Sequence, residues 1–289
     1  MSVSQKPLNI LNRSSTPTVH AIKRRYFFIG GVIAFLMIFT YVWVYIFYPF
    51  ADLTNLLILD GLTALSSLMC AVLLTRTARF FQRGELPRLI WVCYAACIWL
   101  WALAEIVWGY YNITVGEVPS FTIADAFWFF GYVVFTVSIV RQYRLVYFSK
   151  SNWIRAIAVI AWFMVLLTTR LITELIESEM PVEDFILYFY PVVDFAIGIA
   201  ALFLVYKFRG ATLALPWLTF LGYVFTDGFY VWATTTGFYD WQLRGFSISL
   251  LMDASYLVAY LIMGWGAMQQ YLLLKYGPDL PNASAQADG

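Results

Sequence analysis

Of the 289 residues, 62% are hydrophobic, 20% aromatic and only 12% charged, and the net charge is +1. A water-soluble globule needs a polar skin that this composition cannot supply, so the chain reads as an all-α polytopic membrane protein. With charges so few and so nearly balanced, no nucleic-acid partner is expected; membrane lipids are.

Residues 1–22 are polar and Pro/Ser-bearing, and are expected to form a disordered cytoplasmic tail. Eight apolar stretches follow, near 26–48, 54–75, 89–111, 122–147, 153–173, 184–206, 212–236 and 247–274. At ~1.5 Å per residue, stretches of about 20 residues cross a hydrocarbon core about 30 Å thick as helices. The first, after Lys23-Arg24-Arg25, is too long for a signal-peptide core and has no clear small-residue cleavage site, so it is expected to be retained. Residues 276–289 read as a second disordered tail.

Basic residues set the orientation. Lys6, Arg13, Lys23, Arg24 and Arg25 precede the first span, Arg76, Arg79, Arg83 and Arg88 lie in the second connection, and Arg141, Arg144, Lys150 and Arg155 surround the fourth. Lys207, Arg209 and Lys275 join that side, leaving only Arg170 and Arg244 of the 18 opposite. The positive-inside rule then places both termini in the cytoplasm of a cell-membrane protein. The connection after the fifth span is acidic, with Glu174, Glu177, Glu179, Glu183 and Asp184 on the outer side.

Several chemistries lack their residues. His20, the one histidine, precedes the first span, which removes zinc hydrolysis, histidine-ligated haem and histidine triads from the membrane. No span has a central lysine for a retinal Schiff base, and the Gly-x-Gly-Asp signal of intramembrane aspartyl proteases is missing, although six membrane acids leave a facing pair open. There is no phosphate-cradling glycine loop. No enzymatic activity, cofactor or metal is expected. Cys70, Cys93 and Cys97 fall inside spans without a CxxC pair and read as small buried apolar residues. Asn112-Ile113-Thr114 matches a glycosylation acceptor on an outer loop.

Acidic residues recur inside the apolar stretches. Asp125 in "ADAFWFFGY" and Asp253 in "MDASYLVAY" each have an aromatic three residues on (Trp128, Tyr256) and a tyrosine seven on (Tyr132, Tyr260), positions that share one helical face. One span earlier, Glu105 and Asp227 occupy equivalent places, followed by Trp108 and Tyr230. Two spans earlier come Asp60 and Asp194. The chain therefore reads as two parallel four-helix repeats, residues 23–150 and 151–275, related by an axis along the membrane normal.

Counted at ~1.5 Å per residue from the span ends, all six carboxyls lie within about 5 to 15 Å of the outer boundary. An ionisable group in hydrocarbon costs about 2.5 to 3.5 kcal/mol and is normally turned inward. Two readings follow. The carboxyls, hydrogen-bonded to tyrosine, tryptophan and backbone groups, fasten helices together. Alternatively, Asp60, Glu105, Trp108, Asp125, Trp128, Tyr132, Asp194, Asp227, Tyr230, Asp253, Tyr256 and Tyr260 line a pocket for a small-molecule ligand. Carboxylates with aromatic faces suit an organic cation, and carboxylates alone a hard metal ion.

The segments "PSFTIADAFWFFGYVVF" and "YPVVDFAIG", with Asp227 and "MDASYLVAY", resemble the eight-helix N-terminal membrane regions that precede GGDEF (diguanylate cyclase) and similar output domains in many bacteria. The recurring features are matched by Pro119-Ser120, Ala124-Asp125, Tyr190-Pro191 with Asp194, and the acids Glu105 and Asp227; the similarity covers most of residues 54–272. It implies a sensor-like region for signal transduction. Only a short polar tail follows the last span, so no cyclase activity of its own is expected. The favoured expectation is a stand-alone sensor that binds a small or lipidic ligand in the outer half of the membrane and acts on a separate cytoplasmic signalling partner. A proton- or cation-coupled transporter is the alternative, and a lipid-modifying enzyme stands third.

Overall fold

The computed structural model describes residues 17–116, 121–146, 181–208, 214–243 and 246–277, with isolated positions between 154 and 165. Most of the predicted fifth span, 153–173, and both predicted tails except residues 17–22, 276 and 277 lie outside these residues. The long helices are α1 (Pro17–Phe47), α2 (Asp52–Ala78), α3 (Leu86–Val115), α4 (Ile123–Leu145), α5 (Pro181–Lys207), α6 (Leu215–Thr235) and α7 (Ile248–Tyr276). The sequence-predicted spans therefore coincide with helices wherever the residues are described.

Local chemistry sets the helix ends. Pro49 disfavours helix at the preceding residue, and Tyr48 leaves α1 with φ 46. The turn into α2 is held by Asn55, whose Nδ2 donates to the Phe50 carbonyl at 2.8 Å and whose Oδ1 accepts from the Phe50 amide at 3.3 Å. Pro87 and Pro216 sit in the first turns of α3 and α6, where a missing N–H costs nothing. Gly116, Gly237 and Gly277 follow α3, α6 and α7 at positive φ, which a side chain would resist. Between α6 and α7 lie a 3-10 turn, Phe238–Asp240, and a two-residue antiparallel ribbon pairing Gln242–Leu243 with Phe246–Ser247.

Pro191 stands inside α5, one turn before Asp194. Without an N–H it leaves the carbonyl four residues earlier, about two turns before Asp194, without its helical partner.

α2, α3, α4, α5, α6 and α7 pack in that order and close into a ring through the contact of α7 with α2, while α1 lies outside against α2 and α7. The ring is filled by large side chains, Tyr94, Trp101, Phe135, Phe220 and Tyr260, all fully buried. Outward faces carry apolar residues instead, such as Phe28 at 72% and Phe225 at 74% exposure, as a hydrocarbon solvent requires. Among the described residues six helices are long and apolar enough to cross a membrane, namely α1 to α5 and α7. α6, with its threonines and Asp227, is not among them. The described chain is thus a helical, multi-pass membrane-embedded protein.

Gly264 lies at the α2–α7 contact. A Cβ there would reach ordinary van der Waals distance, 3.5 Å, from the Cys70 backbone Cα, and close by Thr77 Oγ1 donates to the Ala267 carbonyl at 3.1 Å. Small residues at such crossings let backbones approach closely.

Candidate functional site: a layer of tyrosine-bound carboxyls

Asp125 is held first by its own helix end. Thr122 caps α4, its hydroxyl accepting from the Ala124 amide at 3.1 Å, while Asp125 Oδ2 accepts from the Thr122 amide at 2.8 Å and hydroxyl at 3.2 Å. This is a capping box, with aspartate in place of the usual glutamate. The other oxygen reaches across to α5, where Tyr190 donates to Oδ1 at 2.9 Å.

A second tie runs the other way. Tyr132, on the same face of α4 as Asp125, donates to Asp194 Oδ1 of α5 at 2.8 Å. Tyr190 and Asp194 are four residues apart and therefore neighbours on α5. Each helix contributes one tyrosine and one aspartate to a reciprocal pair, with Asp125 and Asp194 both buried.

Three of the remaining four acids, Asp227, Glu105 and Asp253, follow the same rule. Tyr256 of α7 donates to Asp227 Oδ1 of α6 at 2.6 Å, and Tyr260 of α7 to Glu105 Oε1 of α3 at 2.8 Å. Asp253 accepts from Tyr239 in the 3-10 turn at 2.9 and 3.0 Å. Tyr45 of α1 lies 3.5 Å from Asp253 and donates to Ser249 at 2.8 Å. Asp60 of α2 accepts from Asn112 Nδ2 of α3 at 2.9 Å, and Gly109 permits the approach, since a Cβ there would meet the Asp60 Cβ at 3.0 Å. The sequence signal read as a glycosylation acceptor is thus an asparagine bonded to a carboxylate.

The aromatic residues named with the acids surround them. Trp108 meets Trp128 at 5.8 Å, Trp128 meets Tyr190 at 6.3 Å, and Tyr230 meets Tyr239 and Tyr256, each at 5.7 Å. Sequence reasoning missed Tyr45, Tyr190, Tyr239 and Asn112 as partners of the acids. It also missed the stack of Trp101 on Tyr223, ring centres 4.6 Å apart. Each stands four residues before an acid of the layer, Glu105 and Asp227, so the spacing carried a signal.

Two polar atoms here are buried without a hydrogen-bond partner, Oδ2 of Asp194 and Nε1 of Trp128. Asp194 also adjoins the Asp227 carboxyl. A cavity of about 420 Å³ on α5 and α6 is lined by apolar residues including Phe195, Leu202, Val224 and Trp232, and by none of the acids. Among the described residues no three acidic, cysteine or histidine side chains converge as a metal site would need. Comparison with known proteins returns no matching family model, no matching curated protein and no matching solved structure.

Proposed function

We propose that the chain is a sensor-like integral membrane protein that binds a small cationic ligand among these carboxyls and aromatic rings and reports through movement of its helices. The observation that carries this reading is the reciprocal Tyr132–Asp194 and Tyr190–Asp125 pairing between α4 and α5. A cation that takes either carboxylate competes with a tyrosine hydroxyl for it, so ligand binding and the α4–α5 contact draw on the same atoms. The close ring packing favours a compact ligand over a lipidic one.

Two parallel four-helix repeats, eight spans in all, fit this reading. The Trp101–Tyr223 stack supports them, because equivalent positions near a two-fold axis touch one another. The basic-residue asymmetry supports cytoplasmic termini in a cell membrane, where a separate signalling partner would receive the movement. The resemblance to sensor regions preceding cyclase domains points the same way.

A proton- or cation-coupled transporter is the second reading, favoured by Pro191 inside α5, which frees one backbone carbonyl within the helix that carries the buried Asp194. One experiment separates them. Spin labels on cysteines replacing Arg144 and Leu202, on α4 and α5, should change separation when methylammonium or choline is added to protein in nanodiscs. An unchanged separation at saturating ligand would overturn the sensor reading, and accumulation of labelled methylammonium inside proteoliposomes would establish transport.

A further inference from the structure

Asp194 is the one acid of the layer that is completely buried, and only one of its oxygens accepts from a tyrosine. Tyr132 donates to Oδ1 at 2.8 Å, whereas no group other than a neighbouring carboxyl reaches Oδ2. The group it adjoins is another carboxyl, that of Asp227, whose Oδ1 accepts from Tyr256. Two carboxyl groups side by side, each already bound to a phenol, have one donor of their own, a proton shared between them. Once both are ionised they repel each other and lack a donor. A positively charged group with several N–H bonds takes the place of that proton.

The surroundings narrow the class further. Tyr132 and Tyr256, which donate to the two acids, meet the rings of Tyr190 at 6.0 Å and Tyr223 at 5.8 Å, so aromatic rings adjoin the acid pair. Trp128, one turn before Tyr132 on α4, brings a buried N–H without a partner, which suits a ligand carrying an acceptor beside its charge. A divalent metal would find only two carboxylates, fewer oxygen ligands than calcium takes. A quaternary ammonium offers charge but no N–H.

We propose that Asp194 and Asp227 together anchor a primary ammonium group, which donates to Oδ2 of Asp194 and to the Asp227 carboxyl between the tyrosine rings. This rests on the ligand-binding reading given above and names the atoms and the ligand class that it leaves open. The anchor lies where α5 and α6 meet and is joined to α4 through Tyr132, so occupancy bears directly on the tie between α4 and α5.

The test uses the full chain in nanodiscs, with methylammonium as the probe and tetramethylammonium and sodium at equal ionic strength as comparisons, read by thermal unfolding. Methylammonium should raise the unfolding temperature of the wild-type protein, and the comparison ions should not. Asp194→Asn and Asp227→Asn should each weaken the methylammonium response about tenfold or more, the scale of one lost hydrogen bond to a charged group. Asp52→Asn, at the exposed start of α2, removes one charge elsewhere and should leave the response at the wild-type level. If Asp194→Asn does not fold, Asp227→Asn decides, because an asparagine there can still accept from Tyr256. An equal response to tetramethylammonium overturns the ammonium anchor. A methylammonium response that survives both substitutions but disappears in Asp125→Asn or Asp253→Asn overturns it too, and leaves the broader ligand-binding reading standing. Absence of any response to either organic cation overturns both.

Discussion

Lys23 donates from Nζ to the carbonyl of Gly277 at 2.7 Å, joining residues 254 positions apart. Lys23 is buried near the start of α1, and Gly277 is where α7 leaves the helix at φ 82. The last carbonyls of a helix lack intrahelical donors and carry the negative end of its dipole, so a buried ammonium gains there in both respects. α1, which packs against α2 and α7 of the ring, is thereby fixed at this end.

Lys23→Met keeps much of the side-chain bulk and removes the donor. It should cost about 1.5–3 kcal/mol of stability, the range for hydrogen bonds to charged groups, with Lys23→Arg losing less. Unfolding in mixed detergent micelles measures the difference; equal stability of Lys23→Met and wild type would show the contact to be incidental.

The two tyrosine ties between α4 and α5 should differ in strength. Tyr132→Phe leaves the fully buried Asp194 with no tyrosine donor, whereas Tyr190→Phe leaves Asp125 with its two bonds to Thr122. Tyr132→Phe should therefore cost about 2–3 kcal/mol and Tyr190→Phe about 1 kcal/mol. The reverse order in the same unfolding measurement would contradict the assignment.

Gly131 marks the tightest point of the aromatic core. A Cβ at this position would collide with the indole of Trp101, which is fully buried and donates to the Trp128 carbonyl at 3.2 Å. Gly131→Ala should cost about 1–3 kcal/mol as an overpacking change. Trp101→Phe in the same chain should recover part of that loss, so a double-mutant cycle must show coupling between the two positions.

Orientation is open to direct labelling. Arg83, between α2 and α3, and Thr236, after α6, are both exposed and belong to opposite sides in the basic-residue reading. Cysteines placed there should differ in intact cells, an impermeant maleimide marking position 236 and sparing position 83. The opposite pattern inverts the topology.

Helix positions were legible in the sequence to within a few residues because continuous apolar runs specify them, as α2 at Asp52–Ala78 against the expected 54–75 illustrates. α1 starts earlier than its apolar run, since His20 to Arg25 extend the helix past any apolar requirement. The acids and most of their aromatic neighbours were legible from spacing on one helix. Which tyrosine meets which acid was not, because that depends on how helices far apart in sequence are rotated against one another. Tyr260 illustrates the gap: equivalence with Tyr132 would direct it to Asp60, yet it donates to Glu105. Asn112, expected on an outer loop, belongs instead to α3, and its partner lies on another helix.

The close crossing of α2 and α7 at Cys70 and Gly264 has a mechanical consequence. Small residues and the Thr77–Ala267 hydrogen bond hold that crossing, while the α4–α5 side of the ring is joined by long aromatic side chains that swing on their χ angles. Any rocking of α5 and α6 against α3 and α4 would pivot about the α2–α7 crossing. The gap would widen from that axis like a wedge, and the greatest leverage would fall on the two tyrosines farthest from it.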